Sequence, residues 1–235
     1  MSEDRRELMR KLRSLDSTKL DQFDSGPISD AEIARGMHLS FVNAQNLFED
    51  AELLYKNDRF GRAQSLLVLA LEELGRIPLL LNAMLIEVSD EKLWAAFWKQ
   101  VRQHSAKQGV WVAYGQGLAA MGHPDAKFFD PPLPRGDEKL VDRLKQCGFY
   151  LSFFDGNFLL PNLFARLRRK QLEEFFEFVR SRIHGFSALH ANFSDSLRLV
   201  FRTRQKVNKL SLEERKAESI ELFGGVHIRK SSTVQ

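Results

Sequence analysis

Apolar and small residues recur along residues 29 to 57 at Ala34, Met37, Phe41, Ala44, Phe48, Ala51 and Tyr55, in alternating steps of three and four. That spacing keeps one side of a 3.6-residue helix apolar and predicts an amphipathic helix. Ser29-Asp30-Ala31-Glu32 opens it, with a serine placed to cap the first N–H groups and acids at the positive helix end. A polar turn, Lys56-Asn57-Asp58-Arg59, breaks the stripe. A second stripe then runs through Phe60, Ala63, Leu67, Ala70, Leu74, Ile77 and Leu81. The pair reads as a helical hairpin, and alanine on both stripes lets the helices approach closely and antiparallel.

A third helix is predicted from about Asp90 to Trp111, with Leu93, Trp94, Phe97, Val101 and Trp111 on its apolar side. Four prolines and four glycines between Gly115 and Gly136 interrupt the bundle with loop. A helix over residues 137–146 leads to Phe149-Tyr150-Leu151-Ser152-Phe153-Phe154, then Asp155-Gly156, then Asn157-Phe158-Leu159-Leu160. Asp-Gly between aromatic runs predicts a small β-hairpin. Helices follow from Leu163 to a stop near Gly185, from Ser187 to Val207, and from Ser211 to Phe223, the last opened by the capping-box pattern Ser211-Leu212-Glu213-Glu214. The fold class is all-α: an antiparallel helical bundle with a small β-hairpin insertion and extra C-terminal helices. The organisation expected is an N-terminal helical arm (1–28), a helical domain (29–210), and a C-terminal helix with a frayed tail (211–235).

Composition narrows the function classes. A chain of 235 residues with 43% hydrophobic content can fill a core. The single cysteine, Cys147, excludes an intramolecular disulfide and fits a reducing cytoplasm. The longest strongly apolar run, Ile77–Ile86, is about half of the roughly 20 residues a membrane span needs, so no membrane association is expected. The N-terminus lacks the apolar core of a signal peptide. No fixed-period repeat, phosphate loop, dinucleotide fingerprint or metal-ligand spacing occurs, so neither cofactor nor metal is expected. Net charge is +4 but uneven. Residues 29–58 carry six acids against two bases, and residues 161–210 carry eleven bases against four acids. The cationic half permits RNA binding, or docking of a solvated helix face on an acidic neighbour.

The hairpin sequence Asn43-Ala44-Gln45-Asn46-Leu47-Phe48-Glu49-Asp50-Ala51-Glu52-Leu53-Leu54, then Arg59-Phe60-Gly61-Arg62-Ala63, then Ala70-Leu71-Glu72-Glu73-Leu74-Gly75-Arg76, resembles the signature of the AbiV abortive-infection family, built on the HEPN helical bundle. Phe97-Trp98-Lys99-Gln100-Val101-Arg102-Gln103-His104-Ser105-Ala106-Lys107 resembles a later His-Lys element, and Gly148-Phe149-Tyr150 another. The likeness covers residues 39–155. It implies a phage-defence protein, either a metal-independent RNA endonuclease or toxin that arrests translation, or a non-enzymatic protein that binds a phage or host translation component. A helical scaffold without a defence role is the third reading. The partners implied are a second copy of the chain, RNA or the translation machinery, and a phage protein activator. Arg76 stands where the family usually has lysine. HEPN ribonucleases commonly carry arginine, four to six residues, then histidine, and the nearest form here is Lys99, four residues, His104.

RNA is cut without metal when a base activates the ribose 2′-hydroxyl and a cation stabilises charge on phosphate. The unperturbed pKa of a histidine side chain lies close to neutral, which suits His104 to the first role. Lys99, Arg102 or Lys107 suits the second. On a continuous helix Gln100, His104 and Lys107 form one line, whereas Lys99 points about 140° from His104. A two-fold dimer would supply the second group in trans. Glu73 is placed to orient His104 or Lys107, or to form a salt bridge. Glu72 and Arg76 form an i,i+4 pair if exposed. His104 as a helix-face histidine beside Val101, Asn43 and Asn46 as hydrogen bonds between helices, and Trp94 and Trp98 as core are the ordinary structural readings. His184 and His190 lie beside Arg180 and Arg182 without a metal-binding spacing.

Overall fold

The computed structural model describes residues 26–103, 138–154, 157–161 and 169–224. α1 (Asp30–Lys56) begins where Ser29 Oγ accepts the Glu32 N–H at 3.2 Å. Its stripe from Ala34 to Ala51 is buried, and Tyr55 is half-buried. At the turn Asp58 takes the left-handed φ of 56°, a conformation aspartate tolerates better than most residues. α2 (Phe60–Asn82) runs back along α1. Pro78 sits inside it without ending it, because Ile77, Leu79, Leu80 and Leu81 are all buried and hold the last turn. A 3-10 turn (Ala83–Leu85) follows, then α3 (Glu91–Arg102), whose first turn is capped by Asp90 accepting the Leu93 N–H at 3.0 Å.

α4 (Glu138–Phe149) lies on the first half of α2. Ser65 Oγ donates to the Lys145 carbonyl at 2.7 Å. A Cβ added at Gly148 would fall 2.0 Å from Ser65 Oγ and 2.1 Å from the Gly61 carbonyl. Only glycine fits that crossing. The hairpin is present as β1 (Ser152–Phe154) and β2 (Asn157–Leu159), antiparallel with Phe153 opposite Phe158. α5 (Arg169–His190), α6 (Phe193–Val207) and α7 (Leu212–Ser219) complete seven α-helices among the described residues, and a π-helical turn (Ile220–Gly224) ends them.

Two apolar clusters form the core. One joins the start of α1, the end of α2, Leu93, Trp94 and Phe97 of α3, Phe186 of α5, and Val200 and Val207 of α6. The other joins Phe48 and Ala51, the start of α2, and Leu172, Phe176 and Val179. The C-terminal helices therefore share the core of the α1–α2 hairpin. The fold is all-α with a minor β-hairpin.

Three expected boundaries need correction. The third helix ends at Arg102, and Gln103 is already extended with φ −86° and ψ 126°, so it does not continue unbroken to Trp111; residues 104–111 lie outside the described residues. The expected stop near Gly185 is absent, and α5 runs on to His190. Burial of Phe186 and His190 outweighs the roughly 1 kcal/mol helix cost of a glycine. The expected helix from Ser187 to Val207 is instead broken at residues 191–192, where the Asn192 side chain accepts the Asp195 N–H at 3.0 Å and caps α6.

Candidate functional site

The expected site centres on the end of α3, so its geometry starts with what fixes that helix. Trp94 and Phe97 are buried and meet edge to face with ring centres 5.6 Å apart. The Trp94 indole donates to the Glu87 carbonyl at 3.1 Å, and the Trp98 indole donates to the Gly26 carbonyl at 2.8 Å. Both tryptophans serve the scaffold. Gln100 is buried, and its amide donates to the Leu222 carbonyl at 2.9 Å, tying the end of α3 to the π-helical turn. With that face inward, Lys99 and Arg102, three residues apart, are exposed on the last turn. Cations there complement the partial negative charge of the helix C-terminus.

His104 and Lys107 lie outside the described residues, so the structure brings together Lys99 and Arg102 of the expected set. Glu73 belongs to α2, where its carboxylate lies 2.9 Å from the Arg76 guanidinium, both side chains largely covered. The expected pairing of Glu72 with Arg76 is overturned. Glu72 is 1% exposed and its carboxylate meets Lys145 Nζ of α4 at 2.9 Å. Lys145 is 4% exposed and also lies 2.9 Å from Asp142. Burial pulls the ammonium pKa down, but hydrogen bonds to Asp142 and Glu72 overcome this and leave it raised. The Lys145–Glu72 contact therefore clamps α4 to α2. Sequence reasoning passed over Lys145. The available signal was Gly148 three residues on, which places a small residue beside Lys145 on one helix face.

Asn43 and Asn46 are exposed rather than bonded between helices, as are their face-mates Leu39 and Leu53. His184 is exposed on α5 and lines a shallow depression of about 380 Å³ with Glu177, Arg180, Ser181 and Gly185. Arg180 there is engaged by Glu177 and, at 2.7 Å, by Glu52 of α1. His190 is 1% exposed, stacked on Phe186 with ring centres 5.6 Å apart. Its Nδ1 lies 2.9 Å from Ser196 Oγ, its Nε2 has no hydrogen-bond partner among the described residues, and His38 Nδ1 lies 3.1 Å from its carbonyl. Burial, reinforced by His38 and opposed by Asp195, lowers its pKa to about 4. It is a neutral core histidine at pH 7.

Among the described residues no cluster of three or more His, Cys, Asp or Glu could hold a metal ion. No helix among them is long and apolar enough to cross a membrane. The chemistry on offer at α3 is cationic: two exposed, positively charged side chains on a pinned turn that leads directly into His104. A family model described as AbiV, the HEPN_AbiV model, matches residues 32–182. No curated protein and no solved structure matches the chain.

Proposed function

Since the chain belongs to the AbiV family of HEPN proteins, we propose that it is an abortive-infection phage-defence protein that acts on RNA to arrest translation. In this reading His104 takes the proton from a ribose 2′-hydroxyl. The oxygen attacks the adjacent phosphorus, the bond to the 5′-oxygen breaks, and that leaving oxygen is protonated by a second group. Lys99, Arg102 and Lys107 stabilise the charge that develops on the phosphate. A two-fold dimer, with α3 of each copy contributing, supplies the acid and base from different subunits. The observation that carries the reading is the exposure of Lys99 and Arg102 on the turn before His104, with α3 anchored by Gln100.

A second reading, binding of a phage or host translation component without cleavage, is favoured by lysine rather than arginine at position 99 and by the engagement of Glu73 with Arg76. A lysine presents a point charge where arginine offers a planar fork. The two separate in one experiment. Wild type and His104→Ala, both shown to fold, are induced in cells under phage challenge while RNA integrity and growth are followed. Cleavage that disappears with His104 supports the enzyme. Unchanged arrest with intact RNA sinks it and leaves the binding reading.

A further inference from the structure

α6 has two sides of different character. Ser196, Val200 and Val207 face the core. About 80° round the helix from them, Phe193, Leu197 and Phe201, at steps of four, are 41%, 40% and 64% exposed. One residue further round the helix, Arg198, Arg202 and Lys206 repeat the same step and are exposed. Steps of four advance about 6 Å along the axis and drift about 40° round it, so the two rows wind round the exposed half of the helix, and Phe201 neighbours Arg198, three positions before it. The acid within α6, Asp195, is held 2.9 Å from Arg198 in the first turns, and no other acid occurs before Glu213. Among the described residues Arg202 and Lys206 have no carboxylate within ion-pair distance.

We propose that the outward side of α6 around Phe201 is a binding surface for single-stranded RNA, with Phe201 as the stacking platform and Arg198, Arg202 and Lys206 as phosphate contacts. The proposal rests on the RNA-directed reading above for its choice of polyanion. The helix itself lies beyond the residues the family model matches. Aromatic rings alternating with cations are what sequence-independent single-strand binding uses, because every base has a face to stack and every phosphate a charge to meet. A second copy fits less well: antiparallel pairing of two α6 helices through the apolar row sets each cationic row against its own equivalent. A membrane surface fits less well too, since an interfacial helix needs a broad apolar face, and here that face is one row of three side chains.

The test is binding of a short fluorescent oligouridine to the full chain, followed by anisotropy across a salt series. Wild type should bind with strong salt dependence. Arg202→Gln with Lys206→Gln should weaken binding about tenfold at low salt and flatten the log–log salt slope by about 1.4, two cations at about 0.7 each. Phe201→Ala should weaken binding about fivefold or more with the slope unchanged. All three positions are exposed, so unchanged circular dichroism and melting confirm that the variants fold. Wild-type-like binding by these variants, no binding by wild type, binding confined to anionic lipid vesicles, or a dimer that Phe201→Glu splits without loss of RNA binding would each overturn the proposal. His104→Ala separates it from the cleavage reading: that variant should bind the oligomer normally while losing cleavage. Cleavage unaffected by His104→Ala sinks the enzyme reading and leaves the surface standing.

Discussion

Replacing Glu72 by glutamine leaves the Lys145 ammonium buried at the α2–α4 crossing with Asp142 as its remaining countercharge among the described residues. Removing one partner of a buried pair costs about 3–5 kcal/mol, whereas exchanging both for apolar residues of similar volume is far milder. Glu72→Gln should therefore lower the denaturant midpoint much more than the double replacement Glu72→Leu/Lys145→Met, read by urea unfolding of all three proteins. His190 gives a second test. Its folded pKa of about 4 lies below the usual 6.5. Between those values the unfolded chain binds a proton that the folded one refuses, so stability is complete above pH 6.5 and falls as pH drops toward 4. The 2.5-unit gap is worth on the order of 3 kcal/mol. His190→Gln should remove that part of the acid sensitivity in unfolding measured from pH 7 to pH 4. Equal pH dependence of the two proteins would refute the assignment.

Helix contacts set the next scale. Gly148 lets α4 lie on Gly61 and Ser65 with backbone in contact, and rigid backbone has nowhere to go. Gly148→Ala should cost at least the 1–3 kcal/mol typical of overpacking. Gly36→Ala meets the Leu80 side chain, most closely its Cδ1 at 3.0 Å, a side-chain end that can turn aside, and should melt within a few degrees of wild type. Thermal denaturation of the two alanine variants, side by side, checks the contrast. The same scale shows what sequence can and cannot carry. The stripes of α1 and α2 and the caps Ser29 and Ser211 were legible because they depend on neighbours three and four residues away. The end of α3 was not, since the contact that holds Gln100 comes from Leu222, 122 positions on. Glu72 was assigned to its neighbour Arg76, but its partner is Lys145, 73 positions away. The break at Asn192 did have a local signal, the asparagine with Asp195 three residues later, outweighed in reading by the apolar periodicity on either side.

Over the whole molecule, the C-terminal helices belong to the core rather than decorate it. Val200 and Val207 are buried with Ile33, Met37 and Leu80, and Arg204 binds Asp30 at the start of α1 and the Met84 carbonyl at 3.1 Å. A chain truncated after Asn192 should lose cooperative unfolding or aggregate, although it retains all the residues that match the family model; a sharp melt within a few degrees of full length would show the helices to be dispensable. Of the candidate site, the positions of Lys99 and Arg102 on the last turn of α3 follow from the local pattern and both are exposed, while the contact that holds that turn is long-range. That anchor has a temporal side. The Leu222 carbonyl reaches Gln100 from the opposite end of the described fold, so during synthesis α3 leaves the ribosome well before the turn that secures it. The nascent chain therefore grows by a further 122 residues after Gln100 before the partner that secures this terminus exists.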